Sequence, residues 1–124
     1  MNLSAHFTEE EFQCKCCGQQ HLISTDLLNE LELLRTHFDA AVLIISGYRC
    51  AAHNKEVGGA PNSQHMQGIA ADIKVFHDGV QVSPRVVADY LENKFSDSHG
   101  IGRYPTWTHF DVRGNKSRWG SNGI

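Results

Sequence analysis

The 124-residue chain predicts an α+β fold, and three observations point to it. Leucines recur at helical spacing through one long segment, Thr25 to Phe38. Short β-branched runs, of which Ala41 to Ser46 is the clearest, read as strands. Strands fall mostly in the second half instead of alternating regularly with helices, and no internal repeat or linker divides the chain, so one domain over residues 1–124 is expected.

The elements follow in order. Thr8 to Phe12 is a helical turn, with Thr8 as cap and Glu11 as its capping-box partner. The Cys/Gly stretch from Cys14 to Gly18 interrupts it. Thr25 or Ser24 caps the long helix, whose Leu27, Leu28, Leu31, Leu34 and Phe38 share one face. Ala41 to Ser46, flanked by turn-prone residues, is a buried strand. Cys50 to Val57 fits one or two helical turns ended by Gly58-Gly59, and Ala60 to Gly68 reads as a loop. Ala70 to Phe76 is a strand and His77 to Gly79 a turn. Ser83 caps a helix from Pro84 to about Phe95, with proline in the favoured first position. Gly100 to Tyr104 and Thr108 to Val112 are short strands joined by a turn at Pro105, and the tail after Gly114 is polar and Gly-rich, with Trp119 as its only large apolar residue.

Bulk properties narrow the function. At this length a chain buries roughly two-thirds of its unfolded surface, enough for one core. Composition is ordinary, 40% hydrophobic and 20% charged. The net charge of -3 and the lack of a Lys/Arg cluster disfavour a nucleic-acid binder, which needs a basic stripe. The longest apolar run, Ala40 to Ile45, is too short for an integral membrane segment. Met-Asn-Leu-Ser-Ala-His lacks the marks of a signal peptide, so the protein either leaves the cytosol by another route or is made as a longer precursor.

Four cysteines need an account. Cys14, Cys16 and Cys17 cluster and Cys50 stands apart. Zinc-binding cysteine pairs are usually two to four residues apart, so a four-cysteine site is disfavoured. The pattern fits either a disulfide from the cluster to Cys50, which implies an oxidising compartment, or four reduced thiols.

Of the eight histidines, His6, His21, His37 and His77 lie in polar surroundings or at element ends and read as solvated or locally bonded. His65, Asp72 and His109 differ. His65 closes the polar loop, Asp72 sits among small residues in an otherwise apolar strand, and His109 lies in a later strand able to run beside it. A lone aspartate there is costly unless paired or bound to metal. Two imidazoles and a carboxylate make the three-ligand set of a catalytic zinc, and a buried Asp–His pair is the plainer reading of the same pattern.

Ser63-Gln64-His65-Met66-Gln67-Gly68-Ile69-Ala70-Ala71-Asp72 matches S-x-H-x-x-G-x-A-x-D, the motif of metallopeptidases related to D-Ala-D-Ala carboxypeptidases. Those relatives include phage L-alanyl-D-glutamate endopeptidases and share a fold with the Hedgehog signalling domain. Ser46-Gly47-Tyr48-Arg49, with His53-Asn54 and Val57-Gly58-Gly59, resembles the family's S-G-[YF]-R segment. Trp107-Thr108-His109-Phe110-Asp111 resembles its last block. Leu3 to Thr8 with Glu11-Phe12 resembles the opening of a small subfamily, so the likeness spans nearly the whole chain.

The resemblance implies a small, mostly antiparallel sheet with helices on one side. It assigns His65, Asp72 and His109 to Zn2+, places Arg49 on the substrate or the developing oxyanion, and puts Ser63 near the substrate. A guanidinium fork suits either task of Arg49, whose plainer reading is a surface salt bridge. Ligation needs ionised Asp72 and neutral histidines, so activity should fade in acid. Many relatives carry a carboxylate three residues before the last ligand, or a histidine two before, as the base. Here those positions hold Thr106 and Trp107. Asp111 and His99 are the candidate bases, and Asp111, on the same strand face as His109, could instead orient that ligand.

The resemblance further implies a monomeric peptidase acting on peptidoglycan stem peptides in the periplasmic or extracellular wall, in keeping with a phage or prophage lysis enzyme released from the cytoplasm. Two rival expectations are a zinc-retaining binding module that recognises wall peptide or a protein partner without cutting, and a purely structural zinc.

Overall fold

The computed structural model describes residues 2–14, 23–58 and 63–120. Helix α1 (Glu9–Phe12) has Thr8 as N-cap, and the Thr8 N–H donates to Glu11 Oε1 at 2.8 Å. Helix α2 (Thr25–Phe38) starts at Ser24, whose hydroxyl accepts from the Leu27 N–H, and stops at Asp39 in the left-handed conformation. Leu27, Leu28, Leu31 and Leu34 form its buried stripe, as their spacing requires. Strand β1 (Ala41–Ser46) follows, and helix α3 (Ala51–Glu56) is capped by Cys50, whose sulfur accepts from the His53 N–H.

The segment expected as a loop before Asp72 contains a short 3₁₀ helix, Gln64–Gln67, closed by Gly68 at φ 71°. Residues 60–62 of that expected loop, and Gly59 before it, lie outside the described residues. Strand β2 (Ala70–His77) leads through Asp78-Gly79 into β3 (Val80–Val82). Both turn residues have positive φ, the signature of a two-residue hairpin whose twist matches its strands. Helix α4 (Pro84–Lys94) starts with proline in its first turn. Strands β4 (Gly100–Arg103) and β5 (Thr108–Asp111) form a hairpin, and β6 (Ser117–Gly120) ends the described chain.

The sheet runs β1-β2-β5-β4-β6, with β3 paired to β2. All pairings are antiparallel except β4 with β6, which is parallel. Val42, Ile44, Ala71, Ile73, Val75, Ile101 and Phe110 face α2 and α4 and make one core with their leucines. The alternate residues point to the other face. There Asp72 opposes His109, His109 opposes Gly102, and Gly102 opposes Trp119, one row across four strands.

Two strands, β3 and β6, differ from expectation. Three residues with Val80 largely exposed make too little pattern to mark β3. For β6, the polar tail in which no element was expected is fixed by its alternate residues. Arg118 reaches to the helix side, where its guanidinium donates to Glu92 Oε1 and to the Phe95, Ser98 and His99 carbonyls, while Trp119 lies on the opposite face. Of the two readings left open for the cysteines, the disulfide finds no support between Cys14 and Cys50, whose sulfurs lie 3.5 Å apart where a disulfide needs about 2.05 Å. Both sulfurs instead accept backbone N–H groups, from Cys50 and His53 respectively. Cys16 and Cys17 lie outside the described residues. No helix among the described residues is long and apolar enough to cross a membrane.

Candidate metal centre and cleft

Two of the three expected ligands sit opposite each other on adjacent strands, Asp72 on β2 and His109 on β5. The third, His65, comes from the 3₁₀ helix just before β2. Ser63 caps that helix, its hydroxyl accepting the His65 N–H at 3.2 Å, and the Arg49 N–H donates to the His65 carbonyl at 3.1 Å. Gly47 anchors the ring from outside, with its carbonyl 2.7 Å from His65 Nδ1. Gly47 is itself pressed on α1, so close that a Cβ would lie 2.8 Å from Phe12 Cα. Only glycine fits there.

A carbonyl only accepts, so a neutral His65 carries its proton on Nδ1, and its Nε2 lies 3.3 Å from Asp72 Oδ1. His109 sits between two carboxylates, with Nε2 2.7 Å from Asp111 Oδ2 and Nδ1 3.0 Å from Asp72 Oδ1. One ligand atom from each of His65, Asp72 and His109 therefore converges, all within 4.8 Å of one another. Zinc bonds of about 2.0–2.1 Å in tetrahedral geometry place their ligand atoms roughly 3.3 Å apart, so the donor set fits that ion. The outer partners, a backbone carbonyl and a carboxylate, are those that usually orient metal-binding imidazoles.

Electrostatics point the same way. Burial pushes the Asp72 carboxyl up, but hydrogen bonds and charge from His109 and His65 outweigh it and hold the group well below the carboxylate range. Burial pushes His109 down, and the Asp111 and Asp72 carboxylates outweigh it and raise its affinity for positive charge. A cation between these residues meets the demand that a proton otherwise meets.

The three ligands line a cleft of about 410 Å³ together with Arg49, Tyr104 and Trp107. Arg49 is half-buried; burial lowers its pKa, opposed by the charges of Asp72 and Tyr104. Its Nη2 lies 3.5 Å from Ser63 Oγ, and neither its Nε nor Trp107 Nε1 has an acceptor among the described residues. Tyr104 and Trp107 stack at 4.4 Å, and the Trp119 indole N–H donates to the Tyr104 hydroxyl at 2.8 Å.

The two candidate bases are placed differently. His99 lies across the sheet, its ring against Phe95 and Phe110 and its Nδ1 2.8 Å from the Arg113 carbonyl. Asp111 is fully buried behind His109. Its Oδ1 accepts from the Arg113 backbone and Nε, and its Oδ2 from Arg113 Nη2 and His109. Burial pushes this carboxyl up, and the bonds from His109 and Arg113 more than reverse it, to well below the usual range. Arg113, Trp119 and Tyr104 are site residues that sequence reasoning passed over. A His-x-Asp-x-Arg string was the available signal for the first, since alternation puts all three on one strand face. Of the four histidines read as solvated or locally bonded, His6 meets Glu32 at 2.6 Å, His77 meets the Asp39 carbonyl and His37 stacks on Tyr90, while His21 lies outside the described residues.

With a sheet-borne His/Asp/His group in an open cleft, the chain has the design of a metallopeptidase. The Peptidase M15 family model matches residues 5–111, and the chain belongs to this family of zinc metallopeptidases, which includes D-Ala-D-Ala carboxypeptidases and phage endopeptidases. A search of curated proteins finds no match to the chain.

Proposed function

We propose that this protein is a zinc-dependent peptidase that hydrolyses an amide bond in bacterial peptidoglycan stem peptides, as a carboxypeptidase or endopeptidase. The convergence of His65, Asp72 and His109, with one ligand atom from each within 4.8 Å of the others, carries the zinc reading. Bound zinc polarises a substrate carbonyl and makes water nucleophilic near neutral pH. The protein's own residues supply the rest. Arg49 stands at the cleft with an N–H fork suited to a terminal carboxylate or to charge growing on a carbonyl oxygen. Ser63 fixes the loop that carries His65 and lends Arg49 a hydroxyl contact. The stacked Tyr104 and Trp107 give the cleft a flat apolar wall. Asp111, with both oxygens committed, acts on His109 and not as a base.

Site of action follows from substrate: the bacterial wall, reached by a phage or prophage lysis product once the membrane opens. Incubation with purified murein sacculi should release peptide fragments whose masses identify the bond, and none should appear after chelation.

One observation favours a second reading, a binding module that holds zinc and wall peptide without cutting. Asp72 is the only carboxylate lining the cleft among the described residues, and Thr106, where relatives place a base, is exposed. Sacculi that bind zinc-loaded protein and release no fragments between pH 6 and 9 would select it.

A further inference from the structure

We propose that Arg113 is a positioning residue for the metal centre: acting through Asp111, it fixes which nitrogen of His109 faces the ion. The inference rests on the zinc reading above, and it assigns a role to a residue beyond the segment 5–111 that the family model matches.

The geometry is a closed chain of hydrogen bonds. Arg113 Nε and Nη2 each lie 2.8 Å from a different oxygen of Asp111, a bidentate fork that sets the plane of the carboxylate. The Arg113 backbone N–H adds a third bond, at 3.2 Å. With its plane fixed, Asp111 has one direction left in which to accept, and His109 Nε2 fills it at 2.7 Å. With a metal at Nδ1, beside Asp72, His109 then donates from Nε2 to this fixed carboxylate. A carboxylate on a strand without that fork turns about its terminal torsion, which has only broad preferences, and the imidazole loses its template.

The sequence makes room for this chain at two places. A Cβ on Gly100 would lie 2.2 Å from Asp111 Oδ2, so the strand opposite Asp111 carries no side chain. A Cβ on Gly102 would lie 2.6 Å from Trp119 Nε1, so the indole lies across β4 and reaches the His109 ring at 4.8 Å. The same indole underlies the Arg113 guanidinium at 5.4 Å. A planar cation over an aromatic face is held in orientation as well as in place. Trp119 thus packs on both ends of the chain, the ligand and the arginine.

The test is zinc affinity, measured by chelator competition on the full chain for wild type, Arg113→Gln, Arg113→Lys, Asp111→Asn and the double variant Arg113→Gln/Asp111→Asn. Partners that orient a metal-binding histidine are typically worth about 10- to 100-fold in metal affinity. Arg113→Gln should lose on the order of 10-fold, and Arg113→Lys should recover part of it. The double variant should bind no more weakly than Asp111→Asn alone, because Arg113 acts only through Asp111. A nitrogen-15 spectrum of the zinc-loaded protein should show His109 protonated at Nε2 in wild type and the signal broadened or divided in Arg113→Gln. Equal affinity in wild type and Arg113→Gln, or losses that simply multiply in the double variant, would overturn the proposal. Wild-type protein that takes up no zinc would overturn the metal reading itself, a separate failure. Should Arg113→Gln not fold, Arg113→Lys and the nitrogen-15 spectrum decide the matter alone.

Discussion

Gly100→Ala adds one methyl group at the point where the site has no space for it. The new carbon would sit 2.2 Å from Asp111 Oδ2 and 2.5 Å from Oδ1, whereas real Cβ atoms essentially never come within 3.0 Å of another heavy atom. One partner must retreat by roughly 0.8 Å in a close-packed interior. If β4 moves, its ladder with β5 is strained, and overpacking of this kind costs about 1–3 kcal/mol. If the carboxylate moves, it leaves His109 or breaks the Arg113 fork, and zinc affinity falls about 10- to 100-fold. Either way a methyl group far from any substrate should register. Urea unfolding of the metal-free protein reads the first outcome and chelator competition the second. Gly114→Ala is the control, because nothing lies within 4 Å of its added carbon. If Gly100→Ala matched this control in both assays, the argument that β4 is hollowed out for Asp111 would be wrong.

Other expectations follow from the same structure. Protein purified without added zinc should hold about one ion per chain by metal analysis, and His65→Ala or Asp72→Ala should each lose most of it. Zinc at a hundredfold excess over its Kd should stabilise the wild type by about 2.7 kcal/mol in thermal unfolding, and the gain should vanish in Asp72→Ala. Arg49→Ala should keep zinc but slow murein cleavage on the order of a hundred- to a thousand-fold in a turbidity assay; full activity would remove Arg49 from the chemistry. Leu31, fully buried at the centre of the α2 stripe, should cost about 2–5 kcal/mol as Leu31→Ala in urea unfolding, with zinc stoichiometry unchanged.

The sequence makes α2 and the three candidate ligands legible because each carries a dense local signal. Leu27, Leu31 and Leu34 declare a helix face, and the motif from Ser63 to Asp72 sets two of the candidates seven positions apart. What was illegible depends on contacts far apart in the chain. Strand β6 has no apolar alternation of its own; it forms because Arg118 finds carbonyls after α4 and Trp119 finds the gap over Gly102. Asp111 was read as a candidate base or an orienting group because one strand face holds both possibilities. Arg113, bonded to both of its oxygens, favours the orienting role, and that fork is visible only in three dimensions. His99 is a candidate by its nearness in sequence, ten residues before His109, and a sheet stands between it and the cleft.

Residues 47–49 divide three tasks among three consecutive positions. The Gly47 carbonyl holds the His65 ring, the Tyr48 N–H donates to the Phe12 carbonyl at 2.8 Å, and Arg49 both reaches the cleft and donates its N–H to the His65 backbone. The Arg49 side chain in the cleft and the carbonyl that holds the His65 ring are thus the two ends of one short lever, with α1 as its bearing. Substitutions in α1 that never approach the cleft, Phe12 above all, would loosen that bearing and change both ends of the lever together.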